Sequence, residues 1–237
     1  MAITIPYVGQ RLRKRHSDNN QLRYWYQPSY SYMRVQTAHG PLIENYLATT
    51  LRVMTWARQA HSQILAIRVD LRFPEGILAT DPHANNSRVS QFLNNLRWEL
   101  ELVCTRPHDM RYVWCREQKV SLLPHYHLLL LFNGNALRSL GDLRAQPNGD
   151  MSDCYDEDNL YHRLVRSWEG AIGGAPIDMK GLVNIPRRSQ GGGHAVFHFH
   201  RDDQNTFQEV FYAASYLCKA YSKPIGQGIH CLEGSRH

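Results

Sequence analysis

Hydrophobic residues recur along the chain with two periods, which predict five helices and five strands. Spacings of three and four residues predict helices over residues 41–62, 87–104, 136–143, 159–172 and 204–222. Alternating or continuous apolar residues predict strands over 64–73, 110–118, 125–132, 181–185 and 195–200. A short connection ending at Pro124 joins two of these strands and predicts an antiparallel hairpin. Because the strands cluster, the order favours an α+β fold with a central, largely antiparallel sheet flanked by helices.

The second strand of the predicted hairpin carries two histidines on one face. His125 and His127 are two residues apart, and alternate residues of a strand project to the same side. A register that pairs Glu117 with His125, or one shifted by two, adds a carboxylate to that face. Such a set leaves coordination positions open, as a catalytic site requires, and suits Mg or Mn bound to a phosphate oxygen. The alternative is that both histidines are hydrogen-bonded core residues.

The predicted helix over 204–222 has an apolar stripe and, opposite it, a stripe of tyrosine and lysine side chains that are candidates for catalysis. The opposite stripe holds Tyr212, Tyr216, Lys219 and Lys223. A tyrosine and a lysine three positions apart are neighbours on a helix surface, so Lys219 reaches the vicinity of the Tyr216 hydroxyl. A phenol that attacks a phosphodiester needs a cation or a metal nearby, since its unperturbed pKa is about 10. The alternative is an amphipathic helix whose polar face merely contains aromatic and basic residues.

Positive charge is concentrated near the N-terminus. The 237 residues carry a net charge of +6, and residues 1–35 hold six basic residues against one acid, Asp18. Aromatic side chains are interleaved with these cations, which is typical of a nucleic-acid-binding arm, although a solvated tail is an equal alternative. The residues predicted to contact DNA are Arg11, Arg13, Lys14, Arg15 and Arg23, together with Lys223 near the C-terminus. The boundaries expected from this pattern are an arm over 1–40 and a domain over 41–237.

Several classes of protein are excluded by the composition. The longest apolar run, Leu128 to Phe132, is far shorter than the roughly 20 residues that span a bilayer. The N-terminal residues lack the features of a signal peptide, so we expect a cytoplasmic protein with no membrane partner. Five cysteines without a C-x-x-C spacing indicate neither a disulfide framework nor a zinc ribbon. A phosphate-binding P-loop motif does not occur, so a helicase has to be a separate protein.

A second His-hydrophobe-His motif lies at His198-Phe199-His200. It belongs to a short predicted strand beside a glycine-rich loop and is followed at once by Arg201 and two aspartates. We therefore expect it at a sheet edge or on a DNA-facing surface rather than around a metal ion.

Taken together, Glu117, the His125-Tyr126-His127 motif and the later Tyr216-Leu217-Cys218-Lys219 resemble the HUH endonuclease superfamily of rolling-circle replication initiators, relaxases and related transposases. The likeness is closer to inovirus gene-II-type replication proteins and to the YagK/YfjJ C-terminal domain family of bacterial prophages. It is carried by Arg116-Glu117-Gln118, PHYHLLLLFN, Trp168, GLVNIP and SYLCKAYSK, over about residues 60–223. The resemblance implies a ferredoxin/RRM-like core and an HUH-type nicking domain over 41–237.

The resemblance also implies a mechanism. Glu117, His125 and His127 would hold Mg or Mn against the scissile phosphate of single-stranded DNA at a replication origin. Tyr216 would attack, with Lys219 beside it and Tyr212 as a second candidate, and would retain the 5' end as a phosphotyrosine. The free 3' hydroxyl would prime rolling-circle replication of a phage or mobile element in a bacterial host, with a separate host helicase and polymerase.

Three features depart from the superfamily pattern, and two other functions stay open. Tyr126 is a bulky residue between the histidines, and no glycine follows His127, as it does in many initiators of small circular DNA genomes. Ser215 stands where initiators with two tyrosines often have a second lysine. A prophage DNA-binding regulator without catalysis is one alternative. A single-strand transposase of the same fold is the other, because it uses the same chemistry on a different DNA.

Overall fold

The computed structural model describes residues 12–75, 85–118, 123–147, 153–173, 177–189 and 191–236. Their helices are α1 (Glu44–Ala60), α2 (Ser87–Glu101), α3 (Leu160–Ile172) and α4 (Gln204–Ser215). Three pairs of very short strands lie outside the main sheet: β1 (Tyr24–Trp25) with β4 (Leu42–Ile43), β2 (Ser29–Tyr30) with β3 (Met33–Arg34), and β8 (Gln146–Pro147) with β9 (Asp153–Cys154). None of the described helices is both long and apolar enough to cross a membrane.

The main sheet has six strands, and every pairing in it is antiparallel. Its members are β5 (Gln63–Leu71), β6 (Arg111–Glu117), β7 (His125–Asn133), β10 (Val183–Asn184), β11 (Val196–His200) and β12 (Leu232–Gly234). The order is β10-β5-β7-β6-β12, and β11 pairs with β5. The predicted α+β fold with a largely antiparallel central sheet is confirmed.

Helices cover both faces of this sheet, which explains why β7 is apolar from Leu128 to Phe132 and why β5 is apolar over residues 64–71 apart from Arg68 and Asp70. On one face the strands pack against α2 and α3, through Leu65, Ile67, Leu128 and Leu130. On the other face they pack against α1 and α4, through Ile64, Ala66, Leu129 and Leu131. Burying each of these leucine and isoleucine side chains stabilises the fold by about 1.5–3 kcal/mol.

The predicted helix over 136–143 is wrong. Residues 134–136 form a turn, and the following residues to 145 have no regular structure. Gly141 has φ +87°, which a right-handed helix does not allow, and the Leu140 carbonyl accepts a bond from Tyr161 N. Leu140 is buried, so its apolar character reflects packing in the core rather than a helix.

The predicted helix over 204–222 also ends early. Helix α4 stops at Ser215, and a 3-10 turn follows over Tyr216–Cys218. Lys219 then adopts an extended backbone (φ −59°, ψ 137°) and forms an isolated bridge with Leu42. The chain leaves the helix because the backbone of Lys219 pairs with Leu42 of β4. This long-range contact cannot be predicted from the spacing of nearby residues.

Candidate functional site

The β6–β7 hairpin brings the predicted acidic and imidazole groups to one face. Glu117 lies opposite His125, one of the two registers predicted, and Cys115 lies opposite His127. On the other side of β7, Asp70 of β5 lies opposite His127. These side chains therefore share the sheet face that α1 and α4 cover.

His127 lies between two carboxylates. Its Nδ1 is 2.7 Å from Asp70 Oδ1, and its Nε2 is 3.4 Å from Glu117 Oε2. Asp70 also receives Arg68 Nη2 at 3.3 Å. Burial alone would raise the pKa of Asp70, but the hydrogen bond with His127 and the nearby positive charges lower it. The Asp70 carboxylate thus fixes the orientation of the His127 ring.

Glu117 is the most strongly paired group of the site. Lys219 Nζ lies 2.9 Å from Oε2, Lys223 Nζ lies 3.5 Å from Oε1, and Ser222 Oγ donates to Oε2 at 2.9 Å. Burial would raise the pKa of Glu117, yet the hydrogen bond with His127 and the two ammonium groups hold it well below its ordinary value. Lys223 was predicted as a DNA contact. Its side chain is fully buried, and its ammonium group instead pairs with the Glu117 carboxylate.

Tyr216 lies directly beside this charged group. Its ring meets the His127 ring edge-on, with centroids 5.3 Å apart. Lys219 Nζ is 3.7 Å from the Tyr216 ring centroid, and Arg68 Cζ is 5.6 Å from it. The predicted proximity of Tyr216 and Lys219 is present, although a 3-10 turn rather than an α-helix produces it. A half-buried tyrosine with two cations at its ring is well placed to contact an anion.

Tyr212 lies one turn earlier, in a different environment. Arg34 Cζ is 5.4 Å from its ring centroid. Between the tyrosines, Ser215 is fully buried: its Oγ accepts a bond from Gln36 N at 2.9 Å and donates to Tyr212 O at 2.7 Å. A lysine in place of Ser215 would bury its charge, which explains why this chain departs from the two-lysine pattern.

The three predicted metal ligands do not form a metal-binding group. Within the described ranges, no cluster of three or more His, Cys, Asp or Glu side chains is arranged to hold a metal ion. His125 is exposed at the end of β7, while lysine ammonium groups already neutralise Glu117. Since these residues do not fit a divalent ion as they are arranged, we assign no reaction step to one.

The second histidine motif lies on the opposite side of the sheet. His198 pairs with Leu65, whose side chain faces α2 and α3, whereas His127 pairs with Asp70 on the other face. The ring of His198 is hydrogen-bonded to the Gly134 carbonyl at 3.1 Å. Both His198 and His200 are exposed on β11, in agreement with the expected place at the edge of the sheet.

The basic residues predicted in the arm lie on the surface. Arg13, Lys14 and Arg15 are exposed, and Arg23 pairs with Glu44 of α1 at 3.0 Å. Arg11 lies outside the described residues. Their contact with DNA stays a prediction.

Asp70 and Arg68 are the members of the site that sequence patterns missed. The signal that could have found them is their position: they are the polar residues of an otherwise apolar central strand, ILAIRVDL. A charged side chain in such a strand has to be paired, and these two pair with each other and with His127.

Comparisons with known proteins identify relatives that cover most of this chain. The chain is 28% identical over 208 residues to YagK of Escherichia coli (strain K12), which covers 81% of this chain and 93% of YagK. It is 26% identical over 214 residues to YfjJ of the same organism, covering 83% of this chain and 96% of YfjJ. No solved structure matches it significantly. The sequence pattern of the YagK/YfjJ C-terminal domain matches residues 28–235, and the chain therefore belongs to that family.

Proposed function

We propose that this protein cuts and rejoins single-stranded DNA with Tyr216 as its nucleophile. The observation that carries the proposal is that Tyr216 and Lys219, from the turn after α4, meet His127 of β7 at one end of the central sheet. Together with Glu117, these are the residues through which the sequence resembles HUH endonucleases. The structure is compatible with the chemistry because a phenol lies next to fixed cations.

The reaction exchanges one phosphodiester for another. The Tyr216 oxygen attacks the phosphorus and releases its proton to water, and a bond forms between that oxygen and the phosphorus. The bond from phosphorus to the 3' oxygen breaks, and that oxygen takes up a proton. A 5'-phosphotyrosine and a free 3' hydroxyl result, and attack by a 3' hydroxyl reverses the step.

Lys219 and Arg68 supply the positive charge for this step. Both lie at the Tyr216 ring, and both are held by carboxylates, Lys219 by Glu117 and Arg68 by Asp70. Cations fixed before the reaction stabilise the charge that develops on the phosphate oxygens without reorganising. Glu117 and Asp70 are in this proposal positioning residues, and His127 connects them.

The biological setting that we propose is the start of rolling-circle replication of a phage or mobile element. This part rests on the resemblance to inovirus gene-II-type replication proteins. The released 3' hydroxyl would prime a host polymerase, while a separate helicase opens the duplex.

A cleavage assay on labelled single-stranded oligonucleotides that cover the sequence next to the gene tests the proposal. The native protein should yield a covalent protein–DNA adduct that survives denaturation, and Tyr216→Phe should yield none. Tyr212→Phe is the matched control and should form the adduct. An undiminished adduct with Tyr216→Phe, or duplex binding without any cleavage of single strands, would overturn the proposal.

A further inference from the structure

A groove leads away from Tyr216 along α4. Next to the site, a cavity of about 250 Å³ is lined by Arg68, Asp70 and Tyr216, among others. A larger cavity of about 570 Å³ is lined by Arg34, Tyr212 and Phe197, among others. The two cavities share Arg188, Ser189 and Ala213, so they form one continuous groove.

The charge of this groove favours an anion. Its lining includes four arginines, Arg34, Arg68, Arg187 and Arg188, and two carboxylates, Asp70 and Glu209. Asp70 is already paired with Arg68 and His127. Arg34 and Arg187 are exposed at the groove and are therefore available to phosphates.

Aromatic rings accompany these cations. Arg34 Cζ lies 5.4 Å from the Tyr212 ring centroid, and Arg188 Cζ lies 4.2 Å from that of Phe197. Beyond Arg34, the tip of the β2–β3 hairpin presents Tyr32, which is fully exposed and has φ +63°. This conformation is unfavourable for a bulky residue, so the hairpin holds a ring in solvent at a cost in backbone energy.

We propose that this groove binds the DNA strand on one side of the scissile phosphate, and that Tyr212 is a strand-contacting residue rather than a second nucleophile. The inference rests on the proposed function for its substrate. Arginines spaced along a groove pair with successive phosphates, and the partly exposed ring of Tyr212 can stack on a base, whereas Phe197 is buried beneath Arg188. Tyr212 lines the outer cavity with Arg34, whereas Tyr216 lines the inner cavity beside Asp70.

Binding of fluorescein-labelled (dT)12, measured by fluorescence anisotropy at several salt concentrations, tests the groove without requiring cleavage. The double variant Arg34→Gln/Arg187→Gln should bind about tenfold more weakly. Because about 0.7 of an ion is released per phosphate contact of a single strand, its slope against log salt should fall by about 1.4. Arg52→Gln is the matched control: Arg52 also lies over a ring, Trp56, but lines a different surface, and it should bind like the native protein.

The possible results distinguish strand binding by the groove from the nicking reaction. Native-like binding by the double variant, or an equal loss in Arg52→Gln, would overturn the groove assignment even if the protein nicks DNA. A selective loss in the double variant supports the groove even if no nicking occurs. Loss of the covalent adduct in Tyr212→Phe with unchanged (dT)12 binding would overturn the assignment of Tyr212.

Discussion

At the scale of single residues, the site is organised by two carboxylates, one buried and one largely buried, that share one imidazole. Asp70 and Glu117 lie on either side of His127, and each also holds a cation. Buried carboxylates are stable only when they are paired in this way. The cations held by them, Arg68 and Lys219, are the ones that lie at the Tyr216 ring. The residues that surround Tyr216 thus act as one charged network.

The Asp70–His127 hydrogen bond can be tested by a substitution that keeps the shape. Asp70→Asn should lower the single-turnover rate of adduct formation roughly 10- to 150-fold, because a hydrogen bond with a charged partner contributes about 1.5–3 kcal/mol. Nitrogen NMR of His127 should show a changed tautomer, which a purely structural role would not produce.

Asp109 provides the matched control, since it also pairs with a histidine, His61, at 2.7 Å, and with an arginine, Arg111, at 3.0 Å. Asp109→Asn should leave the rate unchanged. Equal rates for Asp70→Asn and the native protein would contradict a positioning role for Asp70.

The Mg or Mn ion expected from the sequence would compete with Lys219 for the Glu117 carboxylate. Any ion that takes Glu117 as a ligand has to displace the ammonium group 2.9 Å from Oε2. If such an ion binds, Lys219→Gln should bind Mn²⁺ more tightly than the native protein, and Glu117→Gln should bind it more weakly. Electron paramagnetic resonance of free Mn²⁺ measures both. Equal Mn²⁺ binding by all three proteins would show that Glu117 is not a metal ligand.

At the scale of elements, α2 and α3 are joined by a clamp of charges outside the site. Glu99 of α2 receives Arg163 Nη1 at 2.8 Å and Arg166 Nη2 at 2.9 Å from α3. The hydrogen bond from Arg166 lowers the pKa of Glu99 and outweighs the opposing effect of burial. The clamp holds together the helical layer on the face opposite Tyr216.

This clamp gives stability a defined dependence on pH. Since the folded pKa of Glu99 lies below the unfolded value of about 4.3, its contribution is present above pH 4.3 and is lost as pH falls through the folded pKa. Glu99→Gln should lower the free energy of unfolding by about 1–3 kcal/mol at pH 7, and the difference should shrink below pH 4. Urea unfolding at both pH values measures this, with exposed Glu101→Gln as the control. A pH-independent difference would contradict the assigned cause.

Elements with a strong local signal were predictable from the sequence, and elements set by distant contacts were not. The central strands β5 and β7 are mostly apolar because helices cover both sheet faces, so their pattern was clear. The end of α4 was missed because Lys219 leaves the helix to pair with Leu42. The strands between residues 24 and 34 were missed because each is two residues long and shows no period.

At the scale of the whole molecule, residues 33–35 of the segment before residue 41 pack into the core. Met33 and Val35 are buried in the cluster that α1 and α4 form with the sheet. Met33→Ala should therefore lower the free energy of unfolding by about 2–5 kcal/mol, because it leaves a cavity. Urea unfolding tests this, with the neighbouring, fully exposed Tyr32→Ala as the control. A change within about 0.5 kcal/mol for Met33→Ala would mean that this segment is an independent arm, as its charge alone indicates.

Several residues of the candidate site could be predicted from the sequence, but the contacts between them could not. Spacing placed Glu117, His125 and His127 on one face of the hairpin and Tyr216 on the polar stripe of a helix, since periodicity places side chains on faces. The resemblance to HUH endonucleases then selected Tyr216 as the nucleophile. Asp70 and the role of Lys223 depend on which strands and turns become neighbours, and this is decided by the whole fold. The sequence thus supplied a hypothesis about the chemistry, and the structure adds that Lys219 and Lys223 pair with Glu117.

We propose that Tyr216 carries the DNA strand during cleavage. Peptide mapping by mass spectrometry of the adduct formed with a single-stranded oligonucleotide tests it most directly. We predict that, after nuclease digestion, a nucleotide remains on the peptide containing Tyr216 and that fragmentation places it on this residue. A nucleotide on Tyr212 or on any other residue, or the absence of an adduct on every oligonucleotide tested, would contradict the claim.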